Sequence, residues 1–144
     1  MQELMDFMMR NALMSGIWLA LLVMLIVSSV QAKLNKVISV AHAQATTLIN
    51  REDALVVDVR SEDEFRKGHI VNAKLLPLAE IKNNQLAAIE KFKQSPIIVV
   101  CNAGISSSQA AKMLVQAGFE KVYSLQGGMS EWNNAHLPTV TGKR

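Results

Sequence analysis

The sequence holds a single cysteine, Cys101, among 144 residues. No intrachain disulfide can form, and no cysteine pair exists for a structural zinc site. Histidine is almost as scarce. His42, His69 and His136 lie far apart, which gives no metal-ligand spacing, so neither a metal nor a cofactor is expected. There is little excess of either charge: the formal net charge is +3. The basic residues form no run and are not interleaved with aromatics, so nucleic acid is not an expected partner. No internal repeat or low-complexity tract is present. From Asn11 to Ala32 charged residues are missing altogether.

That uncharged stretch is the first positive feature. Its core runs Ile17-Trp18-Leu19-Ala20-Leu21-Leu22-Val23-Met24-Leu25-Ile26-Val27. As a helix it would span about 33 Å at ~1.5 Å per residue, enough for a bilayer core. Trp18 near one end suits an interfacial anchor. The pattern divides the chain into an N-terminal tail (1–11), a transmembrane helix (12–32), a linker (33–36) and a soluble domain (37–144). The lipid bilayer is then a partner, and a membrane protein is a further candidate partner. A cleaved signal peptide is the competing reading, with Val30-Gln31-Ala32 as a small-residue cleavage site. Against it, Glu3 and Asp6 beside Arg10 leave no positive n-region. Lys33, Lys36 and, further on, Arg51 outnumber Arg10, and the positive-inside bias places the domain in the cytoplasm. A lone reactive thiol also survives best in a reducing compartment.

The remaining chain alternates strand and helix signals. Val37 to Val40 predicts a short strand and His42 to Asn50 a helix with Ala45, Leu48 and Ile49 facing a core. Leu55-Val56-Val57 reads as a buried strand ending at Asp58. Ser61-Glu62-Asp63-Glu64 is a capping box opening a short helix that stops at Gly68. Ala73 to Leu76 predicts a strand, and Ala79 to Phe92 a helical stretch in one or two pieces, with a break near Asn83-Asn84. Ile97 to Val100 is a β-branched buried strand, followed by a helix from Gln109 to Ala117 that Gly118 ends. Val122 to Leu125 is the last strand, and Gly127-Gly128 leads into a short helix with Met129 and Trp132. Strands separated by helices imply βαβ units: an α/β fold with a mostly parallel sheet and helices on both faces.

Cys101 sits where such a sheet does chemistry. It follows the Ile97–Val100 strand and opens the segment Cys101-Asn102-Ala103-Gly104-Ile105-Ser106-Ser107-Ser108, just before a helix. Ligands of open α/β sheets bind at the carboxyl ends of the strands, and a helix start favours an anion, a thiolate included. A free cysteine ending a strand is often only a small buried hydrophobe. Gly104 and its small neighbours point the other way, because they let backbone N–H groups converge on one position.

Three segments in order resemble the signatures of rhodanese domains: Asp58-Val59-Arg60 with Glu64-Phe65, Gly68-His69-Ile70 and Ala73; the Cys101 loop; and Val122 to Met129 with Trp132. With the N-terminal anchor, the chain is similar to bacterial membrane-anchored single-domain rhodaneses of the YibN type. The resemblance implies a five-stranded rhodanese-like sheet and sulfurtransferase chemistry at the inner (plasma) membrane. Cys101 would be the catalytic sulfur carrier, moving sulfur as a persulfide from a sulfane-sulfur donor such as thiosulfate to a thiol or cyanide acceptor. Asn102, Ala103, Gly104, Ile105, Ser106 and Ser107 would bind the substrate, with the loop amides stabilising thiolate and persulfide. Asp58 and Arg60 would form a structural polar cluster near the site.

Two departures from the family pattern bear on specificity. Many thiosulfate-using members carry Arg directly after the cysteine, and Arg, Lys or Thr later in the loop; here these are Asn102 and Ser106, so a dianionic donor should bind more weakly. Phosphatases on this fold need an Arg six residues after the cysteine to clamp phosphate; that position is Ser107, which argues against phosphatase or arsenate reductase activity. A second function class therefore stands beside the enzyme: a membrane-tethered interaction module with weak or no catalysis. His69 is expected to be hydrogen-bonded scaffold and Trp132 a core plug.

Overall fold

The computed structural model describes residues 1–34 and 37–142 and divides into two compact units, 1–36 and 37–144. The first unit is helical. Helix α1 spans Gln2–Arg10, where the sequence led us to expect only a tail. Asn11 closes it, its backbone N–H (3.1 Å) and side-chain amide (3.3 Å) both donating to the Phe7 carbonyl. Helix α2 spans Ala12–Leu34. Within it Ala12–Gln31 forms a 20-residue stretch long and apolar enough to cross a membrane, with large side chains such as Trp18, Leu21 and Leu25 exposed. The expected linker reaches Asn35 and Lys36, which lie outside the described residues.

In the second unit the elements are β1 (Ile38–Val40), α3 (His42–Glu52), β2 (Leu55–Asp58), α4 (Glu62–Lys67), β3 (His69–Ile70), β4 (Lys74–Leu75), α5 (Leu78–Lys82), β5 (Pro96–Val100), α6 (Ile105–Gln116), β6 (Lys121–Leu125), α7 (Gly128–Asn134) and β7 (Thr139–Val140). Five strands form one parallel sheet in the order β1-β6-β5-β2-β4. The central strand β5 is buried along its whole length, which is what a continuous β-branched run requires when both faces are covered. Its alternation decides where the thiol goes. Ile98 and Val100 pack with Ala45, Met129 and Trp132, whereas Ile97, Val99 and then Cys101 pack with Ala110, Ala111 and Leu114 of α6.

Within this second unit the expected elements differ from the observed ones at three places. Helix α6 begins at Ile105, four residues before the expected Gln109. Gly104, in the left-handed region (φ 94°), turns the chain into it, and Ser107 and Ser108 turn their hydroxyls back to the Gly104 carbonyl (3.1 and 3.0 Å). Serines that look like loop residues by propensity thus sit in a first helical turn. The expected helical stretch to Phe92 ends at Lys82, and a 3-10 turn, Glu90–Phe92, is its only other helical piece. Asn84 is left-handed, and Leu86 and Ile89 bury as anchors of an irregular segment instead of as one helix face. Finally, β3 and β7 form an antiparallel pair that local periodicity gave no sign of.

Candidate active site

From β2 the chain moves outward to β4 on one side, and from β5 outward to β6 on the other. The carboxyl ends of β2 and β5 therefore diverge, which leaves a crevice at the switch point of the sheet. A cleft of about 440 Å³ lies there, lined by Val59, Arg60, Ser61 and Glu64 from the β2 side, by Cys101, Asn102, Ala103, Ile105 and Ser106 from the β5 side, and by Leu78.

Cys101 is only 5% exposed, yet it lines this cleft. The Gly104 N–H donates to its Sγ at 3.0 Å. Burial pushes the Cys101 thiol up. The Ser107 hydroxyl, with the N–H groups of Ser107, Gly104 and Ala103, pulls it down further, and its pKa lies below that of an ordinary thiol. Ser107 is fully buried, and its Oγ lies 2.8 Å from that of Ser124. A hydroxyl has one proton to give. When Ser107 turns it toward the sulfur, the Gly104 carbonyl keeps the bond from Ser108. The thiolate fraction of Cys101 therefore rises at lower pH than that of a free thiol. Iodoacetamide alkylation of Cys101 should show a pH midpoint below that of N-acetylcysteine, and Ser107→Ala should move it upward and slow alkylation at neutral pH several-fold. An unchanged profile in the variant would remove Ser107 from the account.

The loop is held from two sides. The Met129 and Ser130 N–H groups donate to the carbonyls of Cys101 (2.8 Å) and Asn102 (3.1 Å). Gly128 makes this approach feasible: its φ is +57°, and a Cβ there would stand 2.2 Å from the Cys101 carbonyl oxygen. On the other side the Asn102 side chain donates to Glu64 Oε1 at 2.5 Å, while Glu64 Oε2 accepts from Ser61 Oγ (2.9 Å) and the Ser61 N–H (3.2 Å). One carboxylate so joins the capping box to the cysteine loop. Below the cleft, Asp58 and Arg60 form a buried pair. Arg60 Nε bonds both carboxylate oxygens (2.9 and 3.0 Å), and its Nη2 bonds Asp58 Oδ2 (2.6 Å) and the Gly68 carbonyl (2.7 Å).

Of the residues singled out in the sequence, Cys101, Asn102, Ala103, Ile105, Ser106 and Arg60 line the cleft. Gly104 bonds the sulfur, and Ser107 faces inward beneath the loop. Ile105, Ser106 and Ser107 belong to the first turn of α6 and not to the loop proper. His69 is buried, its Nδ1 2.7 Å from the Phe65 carbonyl and its ring stacked on Phe65, away from the cleft lining. Trp132 is buried and donates to the Pro138 carbonyl. Sequence reasoning placed Glu64 in the capping box and the first rhodanese signature but missed its bond to Asn102, and it missed the contact of Ser124, a hydroxyl inside an apolar strand, with Ser107.

A family model for the rhodanese-like domain matches residues 41–135. The chain belongs to the rhodanese-like family. The likeness to one relative runs through the N-terminal segment as well: YibN of Escherichia coli strain K12 is 43% identical over 143 residues, covering 99% of this chain and 100% of that protein. The thiosulfate sulfurtransferase GlpE of Coxiella burnetii is 39% identical over 100 residues, 69% of this chain and 90% of its own. The crystal structure of a rhodanese-related protein from Thermoplasma volcanium superposes with a TM-score of 0.64 at 26% identity, covering 73% of this chain and 99% of that one.

Proposed function

We propose that this rhodanese-like protein is a membrane-anchored sulfurtransferase that carries sulfane sulfur as a Cys101 persulfide. The observation that carries the reading is a thiol of lowered pKa, bonded by the Gly104 N–H, in a cleft at the switch point of the sheet. The likeness to a thiosulfate sulfurtransferase supports it.

The cycle has two displacements at sulfur. The Cys101 thiolate attacks the outer sulfur of thiosulfate. A new S–S bond forms at Cys101, the S–S bond of thiosulfate breaks, and its electron pair leaves with sulfite. An acceptor thiolate or cyanide then attacks the outer persulfide sulfur, and the Cys101 thiolate departs with the electron pair of the broken bond. Each resting form is an anion, so the same backbone N–H groups serve both, with no proton moved at the sulfur. Asn102, Ala103, Ile105 and Ser106 shape the cleft around the donor. Incubating the reduced chain with thiosulfate should add the mass of one sulfur, about 32 Da, at Cys101, and cyanide should remove it. A chain that stays unloaded would favour the interaction module.

The apolar α2 segment supports anchoring in the inner membrane, and the excess of Lys33, Lys36 and Arg51 over Arg10 favours a cytoplasmic domain. An epitope added after Arg144 should resist external protease in spheroplasts until the membrane is broken. Digestion in intact spheroplasts would place the domain outside and revive the exported reading.

A further inference from the structure

The cleft around Cys101 has an unusual charge balance for a site that would take a dianion. Two charged side chains line it, Arg60 and Glu64. The Arg60 guanidinium is engaged by Asp58 through three bonds and by the Gly68 carbonyl through a fourth, so its charge is already matched. Glu64 has no ion-pair partner: its two oxygens accept from Asn102 and Ser61, both neutral, and the charge of Arg60, held by Asp58, reaches it only as the weakest of the influences on its carboxyl. The Asn102 amide first, and then the Ser61 hydroxyl, hold its carboxyl below the usual range, so it is ionised at neutral pH. Among the described residues that line the cleft, the uncompensated charge is negative.

We propose that Glu64 is a specificity-determining residue: bonded to Asn102, beside the sulfur carrier, it disfavours dianionic sulfur donors and favours persulfides of small thiols that carry an ammonium group. The assignment rests on the sulfur-transfer reading above. It accounts for an asparagine in this position, because Asn102 presents an N–H to the carboxylate where an arginine would neutralise it. Long-range repulsion then acts on a dianion before any contact is made, while the ammonium of a suitable donor meets the carboxylate at close range.

The residue can be tested without disturbing its structural part. Glutamine is also accepted at the third position of a capping box, so Glu64→Gln removes the charge: its oxygen serves Ser61, and its N–H group can donate to Asn102 once that amide turns to present Oδ1. Cys101 is the only thiol, and its modification rate reports the cleft directly. In neutral detergent, the full chain is treated with two methanethiosulfonates of similar size, one bearing a trimethylammonium and one a sulfonate. The ratio of cation to anion rates should fall about three- to tenfold in Glu64→Gln, and high salt should narrow the difference between wild type and variant. In turnover, Glu64→Gln should lower KM for thiosulfate with kcat little changed, and raise KM for cysteamine persulfide, whose ammonium is not offset by a carboxylate. Asn102→Arg, which places a cation against Glu64, should shift the rate ratio and the thiosulfate KM in the same direction, and serves if Glu64→Gln fails to fold. A rate ratio unchanged in the folded variants overturns the assignment, whatever the turnover. A shifted ratio in a chain that no donor loads overturns the sulfur-transfer reading, and the donor specificity falls with it.

Discussion

Cys101→Ser should bring thiosulfate:cyanide sulfur transfer down to background, on the order of 10⁴-fold or more below wild type. The substitution changes one atom. Serine retains a group that can sit opposite the Gly104 N–H, which now stands 3.0 Å from Sγ. What it loses is the nucleophile. A hydroxyl ionises far above neutral pH, and the N–H groups that lower the thiol's pKa cannot bring an alkoxide into range. Oxygen is also a poor partner for sulfane sulfur, and the S–O bond it would form is not a persulfide. The fold should survive within about 1–2 kcal/mol, since a slightly smaller polar atom replaces a buried one that already has a donor. The check is the steady-state assay alongside an unfolding curve. Wild-type turnover by a folded Cys101→Ser chain would refute the carrier mechanism outright.

The largest expected loss of stability comes from Asp58→Ala. Asp58 is 1% exposed, and the Arg60 side chain 8%. Truncating the aspartate leaves a guanidinium in the interior with one carbonyl, that of Gly68, as its remaining partner. Breaking a buried pair from one side costs about 3–5 kcal/mol. That is a large share of the roughly 5–15 kcal/mol that holds an ordinary domain together. The loss is a desolvation cost and not the worth of the pair. Replacing both partners with apolar residues, as in Asp58→Leu with Arg60→Met, should therefore recover much of it. Urea unfolding followed by Trp132 fluorescence, with Trp18→Phe so that the domain alone reports, measures both. A single-variant loss under about 1 kcal/mol would mean that Arg60 finds water or a second partner. Activity should fall too, because Arg60 and Val59 form one wall of the cleft.

Glu64 shows how far local reading reached and where it stopped. Its role in the capping box is written in four consecutive residues, Ser61 to Glu64, and the structure has both halves of that box. Its second oxygen meets Asn102, 38 positions away. No spacing rule connects the two, because their meeting depends on β2 and β5 being neighbours. Ser107 gives the same lesson at shorter range. The sequence reading placed Ser106 and Ser107 in the substrate-binding loop; Gly104 starts the helix early, and the turn sets the Ser107 hydroxyl beside that of Ser124.

The sequence by itself determined the apolar helix, the alternation of strands with helices, the capping box, and the place of a lone thiol at the end of the most β-branched strand. Each follows from interactions within a few residues: hydropathy over one span, periodicity over one element, or a cap over one turn. Only the tertiary structure decided the order β1-β6-β5-β2-β4, the pairing of β3 with β7, the four-bond engagement of Arg60 and the carboxylate beside the cysteine loop. Strand order and cleft charge arise from contacts between residues distant in the chain, and local pattern carries no term for them.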